Sequence, residues 1–148
     1  MKNYRIFDHT ADIGCEVYGR SKKELLTHAV EAMFDILIDQ PAGHLPNVAP
    51  AETAKWQEKT IAIDGGDWED LLMNFLRESL YLFNGEGWIV RHCLIDQLNS
   101  KKMIVRFQGE PYNRKKHSLK TEIKAVTYSG LSIKKSKSGW RAKVIFDV

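Results

Sequence analysis

The chain has 148 residues, 43% hydrophobic and 28% charged, with a formal net charge of +3. That balance fits one soluble globular domain spanning residues 1–148, and no stretch approaches the ~20 apolar residues of a membrane span. A net charge this small does not by itself mark a nucleic-acid binder. Cys15 and Cys93 are too far apart to suggest a zinc site or disulfide framework.

Met1 to Arg5 lead straight into Ile6-Phe7 with no signal-like apolar run, so the expected location is the cytoplasm. Tyr4 to Phe7 and Cys15 to Gly19 read as two short strands. The turn-forming segment Asp8-His9-Thr10-Ala11-Asp12 lies between them. Ser21-Lys22-Lys23-Glu24 is a capping box that opens a first helix. Its apolar stripe is Leu25, Leu26, Ala29, Met33, Ile36 and Leu37, and it is expected to end near Ile38. Residues 40–54 carry Pro41, Gly43, Pro46 and Pro50 and read as a long loop.

Trp56 to Ile63 alternates like a strand, closed by Asp64-Gly65-Gly66. Asp67 is placed to cap a second helix, with Glu69 and Asp70 in its first turn. Leu71, Leu72, Phe75, Leu76, Leu80 and Phe83 form its buried face, and Asn84-Gly85 stops it. The remainder is strand-like. Trp88 to Ile95 and Met103 to Phe107 flank an Asn99-Ser100 turn as a hairpin. Thr121 to Tyr128, Leu131 to Lys134 and Trp140 to Phe146 follow. The predicted class is α+β: a largely antiparallel or mixed sheet of about seven strands, covered by two helices.

No Gly-rich phosphate loop, His-Glu-x-x-His, Cys-x-x-Cys or Gly-x-Ser-x-Gly motif occurs. These absences leave open a metal site made of carboxylates, which has no tight local spacing. Asp147 and Val148 put a side-chain and a terminal carboxylate on adjacent residues. Two such charges stay solvated, share a proton or hold a cation. Asp12, before Ile13-Gly14, offers a third carboxylate or serves as an Asx-turn acceptor. Lys124 sits in the strand-like Ile123-Lys124-Ala125-Val126-Thr127-Tyr128, facing away from Ile123 and Ala125, either as an edge-protecting charge or as a phosphate grip. Asp39, past the first helix, is a weaker candidate. Acidic residues such as Glu31, Asp35, Asp67 and Asp70 fall in the first half. Arg114-Lys115-Lys116-His117, Lys134-Lys135 and Lys137 fall in the second, suggesting an acidic and a basic side.

These residues lie in a chain that resembles the archease family. The matching stretches are Asp8 to Gly14, Ala32-Met33-Phe34, Leu71-Leu72 through Glu78 to Phe83, Ile123 to Tyr128, and Val144-Ile145-Phe146-Asp147-Val148. The resemblance implies a small α+β protein that is not an enzyme. Such a protein activates the GTP-dependent RNA-splicing ligase, promoting guanylylation of the ligase's active-site histidine and multiple turnover in tRNA splicing. It also implies a divalent ion, calcium with magnesium or manganese as alternatives, on Asp12, Asp147 and the terminal Val148. The family's functionally important lysine maps onto Lys124. The family motif often ends in Asp-Ile where this chain has Asp-Val, which keeps both carboxylates. Ser129 stands where the family often has His, so no role is assigned there.

The partner implied is the ligase, with tRNA reached indirectly through it and no membrane. The alternative reading is an RNA-binding module or RNA chaperone that uses the basic loop Arg114 to His117.

Overall fold

The computed structural model describes residues 3–9, 11–39 and 55–148, without the side chain of His9. The expected role of His9 in the first turn and the expected loop over 40–54 lie outside the described residues.

Two local sequence signals set the helices. Ser21 Oγ accepts from the amide of Glu24 at 3.1 Å and starts α1, Lys22–Leu37. Glu24 reaches back to the amide of Arg20, one residue earlier than a strict capping box requires. Asp67 Oδ1 accepts from the Asp70 amide at 2.8 Å and starts α2, Trp68–Asn84. Asp70 Oδ2 in turn accepts from Gly66. The predicted stripe of α1 is buried throughout, and Val30, Ala32 and Phe34 join it. In α2 the predicted face is buried except for the half-buried Phe83, and Met73, Ser79 and Leu82 are added.

The strands are β1 Tyr4–His9, β2 Asp12–Gly19, β3 Ile38–Asp39, β4 Gln57–Asp64 and β5 Trp88–Asn99. They continue as β6 Lys102–Pro111, β7 Ser118–Leu119, β8 Ala125–Ser136 and β9 Gly139–Asp147. Every pairing among the described residues is antiparallel. The orders are β1-β2-β9-β8, β4-β6-β5 and the short pair β3-β7. The fold is α+β, as expected. Among the described residues nine strands replace about seven, because β3 and β7 are two-residue pieces that composition does not announce. The β5-β6 hairpin forms as predicted, and Asn99 Oδ1 accepts from the amides of both Lys101 and Lys102 at its turn.

Two boundaries differ in ways that matter for the site. Asp12 is the first residue of β2, not part of a loop, because β1 extends to His9 and pairs across to it. The segments predicted as Thr121–Tyr128 and Leu131–Lys134 are a single strand that starts only at Ala125. The register of β8 against β9 jumps between Thr127 and Ser132. Gly130 sits in that bulge at φ +68°, a conformation open mainly to glycine.

Both helices pack against the four-stranded and the three-stranded sheet, so they share one apolar core. Cys15 and Val17 of β2, Val126 of β8, and Ala142, Val144 and Phe146 of β9 face the helices. From the other sheet come Ile63, Ile95, Met103, Val105 and Phe107, and Phe107 stacks on Phe75 of α2 at 5.8 Å. Cys15 and Cys93 are both buried free thiols, as the sequence suggested, and burial pushes the Cys15 thiol up to about 12. Because strand side chains alternate, the opposite face of the four-stranded sheet carries a separate residue set. It holds Arg5 and Phe7 of β1, then Asp12, Gly14 and Glu16 of β2, then Arg141, Lys143, Ile145 and Asp147 of β9.

Candidate functional site

Strand register gathers the predicted carboxylates at one end of that outer face. Asp12 is the direct cross-strand partner of Asp147. On the far side of β9, Ala125 is the direct partner of Asp147. The backbone amide of Lys124 donates to the carbonyl oxygen of Asp147 at 2.7 Å. Residues remote in sequence therefore meet in three adjacent strands: 12 at the start of β2, 147 at the end of β9, and 124 just before β8. Val148 follows at once, half-buried and packed against the core.

The electrostatics of this corner are unusual for a sheet. Directly opposed residues hold their Cβ atoms about 4.5–5.5 Å apart, and like charges so placed repel. Asp12 and Asp147 are both half-buried, so solvent screens them only in part. Asp147 has no salt bridge among the described residues. Nor does any group of three or more His, Cys, Asp or Glu side chains there have the arrangement of a metal site. A cation here would rely on the two aspartates and the carboxylate of Val148, an all-oxygen set suited to a hard ion such as calcium, magnesium or manganese. Thiol and imidazole metals such as zinc fit this donor set poorly.

Lys124 departs from the expected pattern. The sequence reading placed it within a strand, opposite Ile123 and Ala125. Instead Ile123 and Val126 are buried while Lys124 and Ala125 are both exposed. Asn84 Nδ2 donates to the Ile123 carbonyl at 2.9 Å and holds that residue inward before strand pairing begins. Alternation fails because the chain is not yet a strand at Lys124. Asp39 is exposed in β3, opposite Ser118, and belongs to a different sheet from the carboxylate pair.

The basic loop is partly committed to its own neighbourhood. Lys116 Nζ donates to Glu110 Oε1 at 3.0 Å, and Arg91 Nε donates to Glu110 Oε2 at 2.9 Å. Burial acts to raise the Glu110 carboxyl, but the Lys116 and Arg91 hydrogen bonds outweigh it and hold the group below the usual range. His117 is buried, stacks on Tyr112 at 5.9 Å and accepts from the Asn113 amide through Nδ1. Its Nε2 lies 3.3 Å from Glu110 Oε1 without the geometry of a hydrogen bond. Sequence reasoning did not find this network, because Arg91 and Glu110 look like ordinary strand charges until β5 and β6 are paired.

This fold coincides with that of a known family. Residues 4–148 match the Archease protein family. Protein archease of Methanosarcina barkeri is 34% identical, with 99% of this chain and 97% of the relative covered. Protein archease of Pyrococcus furiosus is 33% identical over 100% of both chains. The solution structure of a Methanobacterium thermoautotrophicum protein superposes with a TM-score of 0.76, at 27% identity over 100% of both chains. The crystal structure of a Thermotoga maritima archease, described as a possible chaperone, gives 0.64 at 25% identity, over 96% of this chain and 94% of that one. The chain belongs to the archease family.

Proposed function

We propose that this protein is a non-enzymatic activator of the GTP-dependent RNA-splicing ligase in the cytoplasm. It promotes guanylylation of the ligase's active-site histidine and multiple turnover in tRNA splicing, and reaches tRNA through the ligase. Family membership supports this reading. The observation that carries it is the direct opposition of Asp12 and Asp147 beside the amide of Lys124. Sheets rarely retain a half-buried like-charge pair unless something offsets it.

Asp12, Asp147 and the Val148 carboxylate would hold a divalent ion, calcium in the first instance. When bound, such an ion supplies positive charge able to offset that of a nucleotide phosphate. The chain's own residues do the rest. The β2-β9 register fixes the two aspartates at the corner, so little is left to order when the partner docks. Lys124 projects an exposed ammonium from the same corner, where it can meet phosphate oxygens as a point charge. Positioning and charge compensation are most of what phosphoryl and nucleotidyl transfer asks of a helper.

The test is single- and multiple-turnover ligation by the cognate ligase, with this protein at substoichiometric amounts. Asp12→Ala, Asp147→Ala and Lys124→Ala should each abolish stimulation of guanylylation while thermal unfolding remains cooperative. Full stimulation by the folded Asp147→Ala protein would reject the mechanism.

A further inference from the structure

The outer face that begins at the carboxylate pair ends in the opposite charge. Two rows along from the acidic corner, Lys143 is the direct partner of Glu16 on one side and of Ser132 on the other. In the next row Arg141 lies between Tyr18 and Lys134, and Arg141 and Lys134 are both exposed. Here too like charges oppose each other directly across two strands, now as cations.

Between the two ends lies one half-buried aromatic ring. Phe7 lies over Gly14, where an added Cβ would fall 2.5 Å from the ring. The Arg5 guanidinium, paired with Glu16 at 2.9 Å, stands 5.0 Å from the Phe7 ring centre and the Lys143 ammonium 5.8 Å. Both helices pack on the other face of this sheet, against the core residues of β2 and β9.

We propose that the basic half of this face binds single-stranded RNA. Lys134, Arg141 and Lys143 neutralise successive phosphates, and the Phe7 ring receives a base. A ring flanked by cations on an antiparallel sheet is the arrangement that tracks a single strand without reading its sequence. An acidic protein partner would use the cations but would have no need of the Phe7 ring. The site is separate from the Arg114–His117 loop, whose Lys116 is already paired with Glu110. It also does not rest on the proposed metal role.

The experiment is fluorescence anisotropy of a labelled RNA of about 12 nucleotides with the isolated protein, in chelator and without ligase. Three neutralised phosphates predict a slope of about −2 in log affinity against log salt, a loss of about twentyfold between about 50 and about 200 mM. The triple variant Lys134→Gln, Arg141→Gln, Lys143→Gln should lose at least about tenfold in affinity and flatten the salt slope. Its melting temperature should hold or rise, because the opposed cations are gone. Phe7→Leu should weaken binding without altering the slope. Arg114→Gln with Lys115→Gln should bind like the parent. The proposal is overturned by absence of binding at low salt or by undiminished binding of the folded triple variant. Loss through the loop variant instead, or competition by polyglutamate as strong as by unlabelled RNA, also overturns it. None of these outcomes bears on ligase stimulation.

Discussion

The two larger sheets handle their charges in opposite ways. In the three-stranded sheet several charges lean on one of opposite sign. Arg106 bridges Asp96 at 2.7 Å and Glu58 at 3.4 Å, and Glu110 sits between Arg91 and Lys116. On the outer face of the four-stranded sheet Arg5 bridges Glu16 at 2.9 Å, but aspartates face each other at one end and cations at the other. The first pattern favours folding and leaves little for a ligand. The second sets like charges against each other, a repulsion that a bound counter-charge would relieve. The contrast separates a sheet whose charges support the fold from one whose opposed charges carry the proposed binding roles.

Removing a partner from the supporting sheet should give the largest effect. Arg91 and Glu110 have side chains only 11% and 14% exposed. Arg91→Ala leaves the Glu110 carboxylate with Lys116 as its remaining ion-pair donor in a largely dry site. Breaking such a pair costs about 3 kcal/mol, to be read as a shift in urea midpoint. A loss no larger than that of an exposed substitution would mean that this sheet's charges are as dispensable as surface ones.

The next effect has the opposite sign. Asp147→Asn relieves the repulsion with Asp12, so in chelator the variant should melt no lower than the parent. Calcium at about 100 times its dissociation constant should stabilise the parent by about 2.7 kcal/mol and the variant far less. Equal calcium shifts in the two proteins would place the ion elsewhere.

Much of this contrast was invisible in the sequence, for a physical reason. Elements were legible because they depend on local chemistry: the Ser21 and Asp67 caps, the helical stripes and the Asn99 turn all formed where expected. Asp12, Asp147 and Lys124 could be named as candidates from residue type and from resemblance to a family. Nothing in the chain states that Asp12 faces Asp147, because strand register is a long-range property fixed by which faces are buried. The same limit hid the Lys134–Arg141 opposition and the Arg91–Glu110–Lys116 network. Lys124 was misassigned within its strand because Asn84, 39 residues from Ile123, holds the inward residue and breaks the alternation.

The smallest effect concerns His117, at the edge of the supporting sheet. Burial, chiefly, lowers its pKa; Arg91 and Lys116 add to that, while Glu110 opposes it. The folded protein therefore prefers the neutral ring, whose Nδ1 accepts from the Asn113 amide. Below the ordinary histidine range near 6.5 the unfolded chain takes up this proton before the folded one does. Stability from this group is complete above that range and is lost as pH falls through it towards the lowered folded value. Glu110, held below the usual carboxylate range, stays ionised over this interval, so its own loss comes at lower pH. Urea midpoints should thus decline modestly from about pH 7.5 to about pH 5.5, and His117→Gln should decline less. A variant that declines more steeply than the parent would show that Glu110 governs the ring's charge instead, and that this sheet can pair a histidine cation as readily as an arginine.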